Sequence, residues 1–165
     1  MKIEDITVAW LVENNTTNVR GKVIKKMIAL EGILDKYDVS VSDGKEMVEK
    51  YLAHHGNALN KRGEVEFLFS LDEWINWWMQ PDDTNQPRWY NRGKSPQNYV
   101  MARYCDMGPY HQDNVFLATN NENLQSSRGW AWLDEEVYAI YKKNKARWPH
   151  MYLLEAYIID PDEED

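Results

Sequence analysis

The stretch from residue 101 to residue 123, MARYCDMGPYHQDNVFLATNNEN, carries the side chains best suited to chemistry. Asp106 and His111 stand on either side of a Gly-Pro turn. A carboxylate is the hard oxygen ligand that Mg²⁺ prefers, and an imidazole can act as the general base that activates water. A metal ligand and a base for water are the two groups that metal-assisted hydrolysis requires, so the pair is a candidate for such chemistry. A structural interpretation stays open, in which Asp106 forms the turn and His111 is a surface loop residue.

Two short strands and a helix are predicted to position these residues. Residues 98–105 (NYVMARYC) are β-prone, and Val115 to Ala118 form a second β-prone run. The intervening DMGPY has turn chemistry, because Gly108 can adopt a positive φ and the proline after it fixes the next φ. Thr119 and Glu122 form a T-x-x-E capping pattern, which predicts a helix that begins directly after Thr119.

Two helices are predicted in the N-terminal part. From residue 18 to residue 37, apolar side chains recur at helical spacing, namely Val19, Val23, Met27, Leu30, Leu34 and Tyr37. A second helix is predicted after a turn at Ser42-Asp43-Gly44, ending near Gly56, with an apolar face of Met47, Val48, Tyr51 and Leu52. His54 and His55 are adjacent and point in different directions on a helix, which favours capping or core roles over metal binding.

The segment EVEFLFSLDEWINWWMQP predicts a short strand followed by a helix. Glu64 to Phe69 is the strand, Ser70 with Glu73 forms a capping box, and Pro81 ends the helix. Three tryptophans share one side of this helix, namely Trp74, Trp77 and Trp78. Such a stripe is typical of a core, and the alternative is a stacking platform for bases or an interface patch.

The segment PDDTNQPRWYNRGKSPQ is predicted to be a loop that mixes basic and aromatic side chains. This mixture suits a phosphate backbone and an exposed base, and it also suits an ordinary loop anchored by its aromatics. Two roles are likewise compatible with Arg103, which could contact a phosphate or pair with Asp106. The candidate nucleic-acid-binding residues are Arg88, Trp89, Arg92, Lys94 and Arg103.

The C-terminal part predicts one helix and an acidic tail. In WAWLDEEVYAIYKKNKARW, acids precede bases as the helix dipole favours, and Trp148-Pro149 ends the helix. The run from Met151 to Ile159 is compatible with a strand or a short helix. The tail is either a solvated terminus or a mimic of nucleic-acid phosphate, and its acids are Asp160, Asp162, Glu163, Glu164 and Asp165.

Composition predicts a soluble, cytoplasmic protein of 165 residues with a net charge of −8. Such a charge argues against nonspecific DNA binding by the whole surface, because phosphate contacts need a basic footprint. Residues 86–130 are locally basic, with five basic and three acidic side chains. Cys105 is the single cysteine, which excludes an intrachain disulfide, and no apolar run is long enough to span a membrane.

The run GPYHQDNVFLATNNEN resembles the closing part of phage-type HNH endonuclease domains, the ββα-metal nucleases. It is most similar to a small phage and mobile-element branch with a G-x-Y turn, an Asn-hydrophobic strand and an A-T-x-x-E-N helix start. The resemblance covers about residues 67–128. It implies an α+β chain: a helical N-terminal part (1–66), an HNH-like ββα core with a Trp-rich lead-in helix (67–128), and a C-terminal helix with an acidic tail (129–165).

The resemblance also implies roles for single positions. Asn114 matches the loop asparagine that braces the general base, and Asn123 matches the metal ligand on the helix. The sequence departs from the family at the metal acid, which is Ala102, and at the base, which is Arg103. Alanine has no ligand atom, and arginine stays protonated at neutral pH. A Mg²⁺ or Mn²⁺ site therefore requires Asp106 to replace the missing carboxylate.

Two classes of function follow. The first is a phage-type HNH-like protein associated with DNA, with weakened or lost nuclease activity. The second is an acidic phage-encoded inhibitor that binds a host nucleic-acid-processing or defence protein and reuses the fold as a scaffold. For the second class, the candidate contact residues are Trp77, Trp78 and the acidic tail. The basic loop favours the first class, and the net charge opposes it.

Overall fold

Helices and one two-stranded antiparallel sheet make up the computed structural model, which describes residues 1–12, 19–60, 65–126 and 135–152. The predicted α+β class is confirmed. The chain divides into two units, Met1–Arg92 with Tyr110–Gln112 and Gly93–Pro109 with Asp113–Asp165. Among the described helices, none combines the length and the apolar character needed to cross a membrane.

The described part of the first unit contains four α-helices: α1 (Val8–Val12), α2 (Val19–Lys36), α3 (Val41–Asn60) and α4 (Leu71–Met79). The second of these confirms the helix predicted between residues 18 and 37. Helices α2 and α3 pack together as a helical hairpin, with Ala29 and Ile33 of α2 fully buried. Lys26 Nζ lies 2.7 Å from Glu49 Oε1 across this pair.

Helix α3 differs from its prediction at both ends. The predicted turn at Ser42-Asp43-Gly44 lies within its first turn, because Ser40 caps the helix by accepting a hydrogen bond from the Asp43 amide at 3.0 Å. Gly44 is buried against α2, and a Cβ there would lie 2.7 Å from Leu30 Cδ1. Gly44 thus serves close packing of helices, and the helix continues past Gly56 to Asn60.

The strand predicted from Glu64 to Phe69 is wrong for its described residues. Phe67 forms one isolated parallel bridge with Tyr110, and Leu68 N–H donates to Tyr110 O at 2.7 Å. A strand needs a continuous ladder, and this segment finds a partner at a single position. Glu64 itself lies outside the described residues.

Helix α4 brings the tryptophans into the core of the first unit. The predicted capping box is confirmed, because Ser70 Oγ accepts from the Glu73 amide and Glu73 Oε1 accepts from the Ser70 amide. The helix ends at Met79, before Pro81, as predicted. The indole rings pack edge to face, with Trp74 Nε1 donating to His54 Nδ1 at 3.1 Å. His54 therefore has the core role that the sequence favoured.

The segment after α4 is a loop, as predicted, and it contains a 3-10 helix at Arg88–Asn91. Asp82 organises its first part. The Asp82 carboxylate accepts from the Thr84 amide at 2.9 Å, from the Thr84 hydroxyl at 2.6 Å and from Asn91 Nδ2 at 2.9 Å. These hydrogen bonds lower the pKa of Asp82 to about 2, the Thr84 and Asn91 side chains contributing most.

The second unit is built on a β-hairpin and two helices. Strands β1 (Tyr99–Arg103) and β2 (Val115–Thr119) pair antiparallel, with Arg103 opposite Val115. Helix α5 (Asn120–Ser126) begins directly after Thr119, whose Oγ1 accepts from the Glu122 amide at 3.2 Å. The predicted order of strand, turn, strand and helix is therefore observed, and α5 contacts both strands.

Helix α6 (Glu135–Arg147) forms the rest of the described second unit. It begins with acids and ends with bases, and Trp148-Pro149 stops it, as predicted. Residues 130–134 of the predicted segment lie outside the described residues. So does most of the ambiguous run from 151 to 159, of which Met151 belongs to a 3-10 helix, Pro149–Met151.

We expect Asp82→Asn to lower the stability of the first unit in a pH-dependent way. Since the folded pKa of Asp82 is depressed, its contribution is present above the unfolded value near 4 and is lost as the pH falls towards 2. Urea unfolding followed by tryptophan fluorescence should place the variant below wild type at pH 7, with the difference shrinking towards pH 2. Glu31→Gln on α2 is the matched control, because Glu31 is exposed. A difference that stays constant over this pH range would contradict the assignment.

Candidate functional site

Asn114 holds the turn between β1 and β2, where the sequence predicted chemistry. Its side chain is fully buried, one residue before β2. Its Nδ2 donates to Met107 O at 2.8 Å and to Pro109 O at 2.9 Å, and its Oδ1 accepts from Asn144 Nδ2 at 2.9 Å. Both amide hydrogens are therefore used to fix the backbone of the turn.

Asn144 connects this turn to α6. It is buried, and its Nδ2 also lies 3.3 Å from Asp113 O. Nearly one helical turn further along α6, Arg147 Nη1 lies 2.7 Å from Asp113 Oδ2. The exposed ion pair contributes little to stability. Breaking the buried hydrogen bond between the two asparagine side chains would cost more, because both amide groups stay desolvated. The two asparagines therefore lock α6 onto the hairpin.

Arg103 spans the same turn from the end of β1. Its side chain is buried, its Nη1 donates to Gly108 O at 2.7 Å, and its Nη2 lies 3.2 Å from Asp106 Oδ1. The planar guanidinium can bridge a carbonyl and a carboxylate at once. Of the two alternatives that the sequence left open, Arg103 takes the role of partner for Asp106.

The backbone of the turn adopts uncommon angles. Cys105 has a φ of 59° and Asp106 a φ of 52°, each costing about 1–2 kcal/mol in a residue with a side chain. Gly108, at a φ of 77°, confirms the predicted positive angle. A Cβ at Gly108 would overlap Tyr152 Oη and lie 2.8 Å from Asn114 Nδ2, so glycine is required. Burial raises the pKa of the Cys105 thiol to about 11, which keeps it neutral and unreactive.

The residues predicted to bind a metal do not form a suitable donor set. Asp106, Asn114 and Asn123 belong to the second unit and His111 to the first. Over the described ranges, no group of three or more His, Cys, Asp or Glu side chains is arranged to hold a metal ion. Asp106 is paired with Arg103, and an arginine-bound carboxylate plus the Asn123 amide do not fit Mg²⁺ or Mn²⁺, which need several oxygen ligands.

The two arginines of the loop are engaged inside the first unit. The Arg88 guanidinium stacks 4.6 Å from the Trp77 ring and donates to Trp77 O at 3.2 Å. The Arg92 guanidinium lies 3.3 Å from the Trp89 ring centre and forms an ion pair with Glu46 at 2.7 Å. The structure therefore matches the alternative of a loop anchored by its aromatics.

The tryptophans are also internal. Trp89 is 1% exposed and packs edge to face against Trp74 and Trp78. Trp77 and Trp78 are both buried, which matches the core alternative for the stripe on α4. Lys94 is exposed in the second unit. The acidic residues from 160 to 165, predicted as partner contacts, lie outside the described residues.

An apolar groove between α2 and α3 is the feature that the sequence did not single out. Val23, Met27 and Leu30 of α2 and Val48 of α3 form its floor, and its volume is about 370 Å³. Three charged residues stand around this floor, namely Lys26, Lys45 and Glu49. Val23 is 49% exposed and Met27 57% exposed. The apolar stripe predicted on α2 is therefore exposed at Val23 and Met27.

The sequence contains only weak signals for Asn144 and for the groove, which were not among the predicted site residues. Asn144 is a short polar side chain inside a helix, where asparagine has poor helical propensity, and this is the one local sign that it is held by a partner. The groove follows from the stripe on α2 only when the neighbouring helix is known to stop short of covering it. Periodicity tells which side chains share a face, and it does not tell what covers that face.

Comparison with models of protein families, with curated proteins and with solved structures gives no match for this chain.

We expect Asn114→Ala to destabilise the second unit by about 1–3 kcal/mol, because it removes the donor of two turn carbonyls and one of the acceptors of the Asn144 amide. Urea unfolding followed by circular dichroism measures this difference. Asn121→Ala is the matched control, since Asn121 is exposed on α5 in the same unit. A change below about 0.5 kcal/mol for Asn114→Ala would show that the buried amides do not support the turn.

Proposed function

We propose that this chain acts by binding another protein and does not cut nucleic acid. The observation that carries the proposal is the uncovered apolar groove between α2 and α3. Adjacent exposed apolar side chains that share one concave surface are typical of sites for a protein partner. The resemblance to phage HNH domains makes a host nucleic-acid-processing or defence protein the expected kind of partner, with the HNH-like part as scaffold.

The contacts that the arginine side chains make within the protein support the same proposal. Arg88, Arg92 and Arg103 each donate to a backbone carbonyl within their own unit. Each already has a partner that a phosphate would have to replace, and the chain as a whole carries a net charge of −8. Nonspecific binding to a nucleic-acid backbone depends on several accessible cations on one surface.

The absence of a suitable donor set at the turn supports the loss of catalysis. Hydrolysis of a phosphodiester needs a positioned base and, in this class of nuclease, a metal ion. Arg103 takes the position of the base and cannot accept a proton at neutral pH. Asn114, in the position of the bracing asparagine, donates both amide hydrogens to the turn.

Affinity capture of the tagged chain from a cell lysate, with and without nuclease digestion, tests the proposal. We expect a protein partner that survives digestion and is lost with Val23→Asp, because a carboxylate in the apolar floor cannot be desolvated cheaply. Ile24→Asp is the matched control: Ile24 is 49% exposed, like Val23, and does not line the groove. The partner should remain with this control.

A cleavage assay on single- and double-stranded DNA with Mg²⁺ or Mn²⁺ tests the alternative that the chain is a nuclease. We expect no cleavage above background. Metal-dependent cleavage that disappears in both Asp106→Ala and Asn123→Ala would overturn the proposal and restore the nuclease interpretation. Capture of nucleic acid alone, with every protein lost on digestion, would also contradict it.

A further inference from the structure

The proposed function leaves open what the groove binds, and the following inference rests on that function. We propose that the groove between α2 and α3 takes an amphipathic α-helix of another protein, whose apolar face is flanked by acidic residues.

The shape of the floor fits a helical ridge. Val23, Met27 and Leu30 recur at steps of four and three residues, so they form a line of about 10 Å along α2. Val48 of α3, which is 2% exposed, completes the floor beside this line. A line of this length matches about two turns of a partner helix that presents side chains at matching steps. Met27 adds adaptability, because methionine is unbranched and polarisable.

The close packing of α2 against α3 sets the depth of the groove. Gly44 brings the backbone of α3 against Leu30, as the 2.7 Å approach of a Cβ to Leu30 Cδ1 demonstrates. Leu30 is consequently half-buried at the bottom of the groove, whereas Val23 and Met27 are about half exposed along it. A binding helix would cover side chains that α3 does not reach.

The charges around the groove select an acidic partner. Lys26 is balanced by Glu49 at 2.7 Å, and Lys45 has no ion-pair partner among the described residues, so the rim is positive. Lys26 and Lys45 are the basic residues at this rim, in a chain that carries a net charge of −8 as a whole. Acidic side chains on a partner would meet this local basic edge, which raises association rate and specificity.

A membrane surface is the competing partner for a basic amphipathic helix. Helices that lie on a membrane insert a convex apolar face between lipids. Here the apolar side chains of α2 form one side of a concavity, and α3 contributes Val48 and the carboxylate of Glu49 to the other. A concave site suits a helical segment better than a bilayer surface.

Two synthetic helical peptides with the same leucine face test the inference, one flanked by glutamates and the other by lysines. Binding to the full chain is measured by fluorescence anisotropy. We expect the glutamate peptide to bind at least about tenfold more tightly than the lysine peptide. Raising the salt from about 0.1 M to about 1 M should weaken it, because the screening length falls from about 10 Å to about 3 Å.

Matched variants locate the binding site. Val23→Asp should weaken the glutamate peptide at least about tenfold, and Ile24→Asp should leave it nearly unchanged. Lys45→Glu should reverse the preference between the peptides, whereas Lys50→Glu, also exposed on α3 but away from the groove, should not. Far-ultraviolet circular dichroism checks that each variant stays folded.

Several outcomes would overturn the inference. Equal binding of both peptides, or tighter binding of the lysine peptide, contradicts the acidic partner. Binding of anionic lipid vesicles in place of either peptide assigns the surface to a membrane. Concentration-dependent self-association that Val23→Asp abolishes assigns it to a second copy of the chain. If neither peptide binds while the lysate partner still depends on Val23, the inference fails and the proposed function stands.

Discussion

The packing of four indole rings is the constraint on which the first unit depends. Trp74, Trp77 and Trp78 come from one short helix, and they can be buried only if other parts of the chain fold over them. The loop after α4 does this by inserting Trp89 between Trp74 and Trp78. Arg88 and Arg92 then lie on indole faces and donate to backbone carbonyls. A segment that looks like a nucleic-acid-binding loop is thus part of the core.

The second unit depends in a similar way on polar side chains directed inward. A turn that contains two non-glycine residues at positive φ is costly, and it leaves carbonyl groups without strand partners. Asn114 and Arg103 satisfy three of these carbonyls, and Asn144 fixes Asn114 in turn. The positions that resemble catalytic ones in HNH nucleases therefore stabilise the turn.

The groove on the first unit differs from these two interiors, because its apolar side chains remain exposed. The two interiors bury several of the candidate side chains, namely Trp77, Trp78, Trp89, Arg103 and Asn114. The surface between α2 and α3 keeps apolar side chains in contact with water, and its edge carries cations in an otherwise acidic chain. Burial of such side chains is favourable whenever a complementary surface is present. This is why the groove, and not the turn, carries the functional proposal.

The sequence by itself determined the local structure. The capping pair Ser70 and Glu73, the T-x-x-E start of α5 and the proline after Trp148 each act within one turn of chain, so their positions were predictable from spacing. The turn predicted at Ser42-Asp43-Gly44 failed because Gly44 serves a contact with Leu30 on another helix. Likewise, only the tertiary structure decided that Arg103 pairs with Asp106, that Asn144 meets Asn114, and that Met27 stays exposed. Spacing fixes which side chains share a face, whereas the role of each side chain depends on residues distant in the chain that come to lie against it.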